Sequence, residues 1–179
     1  MNRHFAIPLL ALLAAVSAAR AEEVVIDFEQ AEIGKAIPEW SEKGVVFNLA
    51  APLTQSKAAG RIMFFPHIAT KRKGILNGMA TEQAIPVQAT FPNRASSVTL
   101  VLWGSTGCPA LLEALDENGA VVDKASVAAV PGRKTPADPI PFIELTVKAP
   151  AIAAIRFSGP RNGEFLAADE IRFTTVDAT

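Results

Sequence analysis

Short apolar runs separated by turn-forming residues set the pattern of this chain. Val24-Val25-Ile26-Asp27-Phe28-Glu29 ends in alternating apolar and acidic residues, and Gly44-Val45-Val46-Phe47 is a second β-type run. In Val98-Thr99-Leu100-Val101-Leu102-Trp103, one face carries Val98, Leu100 and Leu102, and the other Thr99, Val101 and Trp103. Both faces are largely apolar, which predicts a central strand covered on both sides. Ile143 to Lys148 alternates as a half-buried strand does, with Ile143, Leu145 and Val147 inward. Lys148-Ala149-Pro150-Ala151 predicts a turn into another strand, Ile152 to Ser158. Asp169 to Thr175 predicts a last strand with Ile171 and Phe173 inward.

Leu111 to Leu115 and Val121 to Val127 flank Asp116-Glu117-Asn118-Gly119. Asn-Gly accepts positive φ at both central turn positions, a hairpin signal. Leu111, Leu112 and Leu115 also fit a helical stripe, but the turn and the β-branched run after it favour strand. Residues 50 to 97 contain Pro52, Pro66, Pro86 and Pro92 and predict short strands with long loops. Val130 to Pro141 holds four prolines, cannot donate a continuous hydrogen-bond ladder, and predicts a stiff loop. Short strands at near-regular spacing, broken by Gly, Pro and Asn, predict an all-β fold, an antiparallel β-sandwich or barrel.

The first twenty-one residues read as an address. Arg3 precedes a short apolar run, Phe5 to Val16, and Ala19-Arg20-Ala21 fits a small-x-small cleavage site. The expectation is a signal peptide over 1–21 and a single exported domain over 22–179, secreted or periplasmic, with no membrane span. Losing Arg3 and Arg20 takes the net charge from −1 to −3. So mild a balance gives no footprint for nucleic acid or an anionic membrane. Cys108, the one cysteine, cannot form an internal disulfide, so stability must come from packing or a bound metal.

Several segments together carry a resemblance. Ile26-Asp27-Phe28-Glu29 opens the domain, and an Asp-x-Asn-Gly hairpin and Ala151-Ile152-Ala153-Ala154-Ile155-Arg156-Phe157-Ser158-Gly159 follow. Ala168-Asp169-Glu170-Ile171-Arg172-Phe173 closes it. This order resembles secreted bacterial jelly-roll domains of the galactose-binding-like kind, a fold shared by many non-catalytic carbohydrate-binding modules. The resemblance implies a jelly-roll β-sandwich and a structural calcium between the first and last strands, held by Glu29, Asp27 and Asp169. Asp169 shares the parity of Ile171 and Phe173, so its carboxylate aims at the core edge and needs a partner. Calcium accepts carboxylate and carbonyl oxygens and would serve.

For ligand binding, Trp103 and Trp40 are the only tryptophans, and tyrosine is absent. A sugar ring stacks on an exposed aromatic face, which makes Trp103, at a strand end before Gly104-Ser105-Thr106-Gly107-Cys108-Pro109, the better of the two. Both rings are alternatively core. Arg133 (beside Lys134) and Arg161 form an anion-binding rim if they converge. Lys71-Arg72-Lys73 reads as a solvated loop, and Cys108 with His67 lacks the third group that would orient a catalytic dyad. The expected function is an exported, non-catalytic module binding carbohydrate or a cell-surface protein. The alternatives are a structural or protein-interaction protein of the envelope and, last, a hydrolase, since no acid pair or triad stands out.

Overall fold

A computed structural model describes residues 22–50, 62–67, 69–77, 85–158 and 166–176. The expected signal peptide and Arg161 lie outside these residues. The described residues form ten strands and no helix. They are β1 (Glu23–Ile26), β2 (Trp40–Glu42), β3 (Val45–Leu49), β4 (Ile62–Pro66), β5 (Lys73–Asn77), β6 (Val87–Gly104), β7 (Ala110–Leu115), β8 (Val121–Val127), β9 (Ile143–Ser158) and β10 (Leu166–Thr175). Every pairing is antiparallel.

Two long strands, β6 and β9, run through both layers of a jelly-roll β-sandwich. The Ala95–Gly104 half of β6 pairs with β10, which carries β1 and β5 on its other side. The Val87–Thr90 part of β6 pairs with β3, and the Ala154–Ser158 part of β9 pairs with β7, which leads to β8 at an edge. Between the two halves the β6–β9 register slips twice, between Thr90 and Ala95 and between Ala95 and Ser97. Such bulges bend a strand and increase its twist, letting one strand serve two layers. One core lies between the layers. Val98, Leu100, Leu102, Val147 and Ile171 come from one side and Val45, Phe47, Ala89 and Ile155 from the other, all fully buried. Phe28 meets Phe47 edge-on at 5.3 Å, and Phe91 meets Phe173 at 4.7 Å.

Three local expectations change. Ile143 to Ser158 is one strand, because Lys148-Ala149-Pro150-Ala151 falls in the register slip and is no turn. Pro150 lacks an N–H and sits where the ladder to β6 is interrupted. Strand β6 begins at Val87, eleven residues before Val98, since Pro92 likewise falls in the slip. In the β7–β8 hairpin only Gly119 has positive φ. Asp116 Oδ1 accepts the N–H groups of Asn118 and Ala120, so the side chain of Asp116 shapes this turn as much as Asn-Gly does.

Candidate functional site

Strand β6 ends by delivering Gly104-Ser105-Thr106 to one end of the sandwich, where the proline-rich segment crosses it. Two backbone hydrogen bonds fasten the crossing: Gly107 N–H to Val130 O at 2.8 Å and Val130 N–H to Cys108 O at 2.7 Å. Val130 is buried beneath them, and Gly107 has φ +80°. Gly132 then passes so close to Thr106 that a Cβ there would lie 2.5 Å from Thr106 Cγ2. Only glycine permits this approach.

Beyond Gly132 the segment curls over a cavity of about 400 Å³, lined by Gly104, Ser105, Thr106, Arg133, Lys134, Thr135, Pro136 and Ile140. Asp138 fixes the curl, its Oδ2 accepting the Thr135 N–H at 2.7 Å while its own N–H returns to Thr135 O. Arg133 Nη1 donates to Pro136 O at 3.2 Å.

The far end of the segment is held by a buried histidine. His67 is fully buried, and its Nε2 lies 3.0 Å from Ile140 O. Its Nδ1 accepts the Thr70 N–H at 3.2 Å, which places the ring proton on Nε2 as donor to Ile140. The imidazole stands edge-on to Trp103 at 5.1 Å and tilted on Phe142 at 4.5 Å. Trp103, Leu76 and Ala167 form a second small apolar cluster with Ile140 and Phe142. It covers the outer face of β6, as the two-sided apolar pattern of Val98–Trp103 predicts.

Trp103 is 3% exposed, so its ring is the floor under the loop and not a face offered to a sugar. Trp40 is half-buried and packs edge-on to Phe64 at 5.2 Å, away from the cavity lining. Neither tryptophan stands as an exposed platform, because each ring closes an edge of the core. Arg133 does line the cavity. His67 and Cys108 are not brought together: Cys108 belongs to the main core, while the described partners of the His67 ring are Thr70, Ile140, Trp103 and Phe142.

No protein-family model matches the chain, and no curated protein does. Among solved structures there are likenesses. The chain is similar to the K2 cleaved adhesin domain of Lys-gingipain, with TM-score 0.54 and 17% identity over 86% of this chain and 100% of that one. A weaker likeness, TM-score 0.43 and 12% identity over 84% and 94%, is to TmCBM61, solved in complex with beta-1,4-galactotriose. The likeness to the adhesin domain, at 17% identity, speaks for the fold alone.

The expected calcium ligands lie in β10 and in the turn after β1. Asp169 is the extra residue of a bulge, since Ala168 and Glu170 oppose consecutive residues of β6. It is fully buried, and apart from the ion pair with Arg72 neither carboxylate oxygen has a polar partner among the described residues. Burial raises its pKa from 3.8 to about 6, the Arg72 guanidinium draws it down, and Glu170, Glu29 and Asp27 push it up. Arg72 Nη2 stands 2.7 Å from both Asp169 and Glu170. Lys73 Nζ donates to the carbonyls of Glu29 at 2.5 Å and Ala31 at 3.0 Å, and Lys73 N–H donates to Glu29 Oε1. Among the described residues no three His, Cys, Asp or Glu side chains gather closely enough to share an ion.

Tested against this donor set, calcium does not fit the arrangement of Asp27, Glu29 and Asp169. Arg72 stands against Asp169, Lys73 takes the carbonyls of Glu29 and Ala31, and Asp27 Oδ1 accepts the Glu29 N–H at 3.2 Å, so a divalent ion here would lie beside two protein cations and be repelled by them. Lys71-Arg72-Lys73, which reads as a solvated run, therefore supplies the internal positive charge through Arg72 and Lys73. Nothing in its composition signals this, since the partners lie in β10 and in the turn after β1.

Proposed function

We propose that the chain is an exported, non-catalytic binding module whose ligand is a glycan seated in the cavity between Gly104–Thr106 and the proline-rich segment. The observation that carries this reading is the construction of that cavity. Its walls present the hydroxyl-bearing Ser105, Thr106 and Thr135, two cations and the apolar Ile140. Its volume, about 400 Å³, lies within the range of small-ligand sites. Its loops are fixed to the end of a central strand by backbone hydrogen bonds, so a ligand meets groups already in place. Its described lining holds no carboxylate, histidine or cysteine, so the hydrolase alternative draws no support from this site. The fold itself is one that an adhesin domain uses.

The test is a glycan array probed with the full chain and with Thr135→Trp, which places an indole in the cavity without touching the core. Retention of a glycan by the native chain and its loss in Thr135→Trp, at unchanged melting temperature, is the expected result. No retained glycan, or retention indifferent to Thr135→Trp, overturns the reading and favours the structural or protein-interaction alternative.

A further inference from the structure

We infer that the cavity takes an acidic glycan, one whose sugar carries a carboxylate or sulfate, and that Arg133 and Lys134 are the residues that select it. The inference rests on the binding-module reading above and adds the charge class of its ligand. Its ground is how this chain uses its arginines. Five are described. Arg72 contacts Asp169 and Glu170, and Arg94 contacts Glu117. Arg156 contacts Glu113 at 2.6 Å, and Arg172 contacts Glu144 at 2.5 Å. Among the described residues only Arg133 has no carboxylate partner, and it is the one that lines the cavity. Lys134, next to it in the lining, has none either among the described residues.

The loop also holds back a carboxylate that its own length would bring within reach. Asp138 lies five residues beyond Arg133, yet its Oδ2 is engaged by Thr135 N–H at 2.7 Å. Arg133 instead donates one N–H to Pro136 O, which fixes the side chain, and its other N–H groups meet no acceptor among the described residues. A planar guanidinium so held matches the paired oxygens of a carboxylate or sulfate and binds them bidentately. Lys134 adds a second, less directional charge. The hydroxyls of Thr106 and Thr135 suit a polyol ring around the anion.

The chain's overall charge of −1 argues against a long polyanion held by its phosphates, which needs a basic track along the surface. It accords with a local anion read inside a cavity.

Calorimetry of the full chain at low ionic strength tests this with four probes: oligogalacturonate, its methyl-esterified form, a sulfated galacto-oligosaccharide and polyglutamate. At least one of the two anionic sugars should bind about tenfold or more tighter than the methyl ester. The stronger of the two identifies the anion as carboxylate or sulfate. Arg133→Gln/Lys134→Gln should erase that preference, bringing the anionic sugars down to the affinity of the ester, and leave the melting temperature unchanged. Equal binding of ester and anionic sugars overturns the charge class while the glycan site stands. Binding of none of the sugars overturns the glycan site as well. Polyglutamate binding as tightly as the anionic sugars overturns glycan selectivity in favour of an acidic protein partner.

Discussion

Asp169 is a carboxylate that folding takes out of water, and its neighbours repair this only in part. Its pKa rises to about 6 because burial disfavours the charge more than Arg72 favours it. Between 3.8 and about 6 the folded chain holds a proton there that the unfolded chain has released. This group's contribution to stability therefore grows as pH falls through 6 and is lost as pH rises. Asp169→Asn removes the titration. Relative to the native chain, that variant should gain on the order of 2–3 kcal/mol less at pH 4 than at pH 7, read from chemical denaturation at both values. A difference independent of pH would show that Asp169 does not titrate in this window. His67 is the second buried polar residue of consequence. His67→Leu leaves Ile140 O without its donor and should cost about 1–3 kcal/mol of stability. It should also loosen the loop bearing Arg133, so amide exchange at residues 133–138 should quicken more than exchange in β9.

At the scale of elements, the crossing of the proline-rich segment over the end of β6 is the piece that makes a site out of a sandwich. Gly132→Ala forces a methyl group into Thr106 and should lower stability by about 1–3 kcal/mol. Thr106→Ala removes the obstructing atoms, so the double variant should recover most of that loss, a coupling that a double-mutant cycle measures. The strands were largely legible because their apolar residues alternate in runs longer than any competing helical pattern. Val98–Trp103 and Ile143–Lys148 both appear with the predicted inward faces. Pro92 and Pro150 misled because a proline forbids a ladder bond but not a bulge, and sequence alone does not show which strands slip register there. The charged half of the cavity was legible in Arg133. Its placement against Ser105 and Thr106 was not, since the two backbone bonds at Val130 bridge more than twenty residues and have no side-chain signature.

For the whole molecule, the question is what neutralises the acidic cluster behind β10. With Arg72 and Lys73 in place, chelator should leave the melting temperature unchanged, while Arg72→Met should lower stability at pH 7 by about 1–3 kcal/mol, with part of that restored at pH 5. A melting temperature that falls on chelation, and no longer does so in Asp169→Asn, would restore calcium to this site. The resemblance predicted the sandwich that the strands form, and the chelation measurement decides its calcium. Fold is carried by many distributed apolar positions, whereas an ion site depends on a few side chains that a handful of substitutions can recruit for another charge. The two long strands bind the layers into one cooperative body. The outermost pairing is different in kind. Strand β1 lies antiparallel on β10, with Glu23 opposite Thr174 and Thr175 N–H bonded to Glu22 O. A pull applied between Glu22 and Val176 would load these bonds one after another, as a zipper, and not all at once in shear. Under tension β1 would therefore peel away at low force while the strand ends carrying the cavity stayed folded, a mechanical fuse at the opposite register of the sheet from the cavity loops.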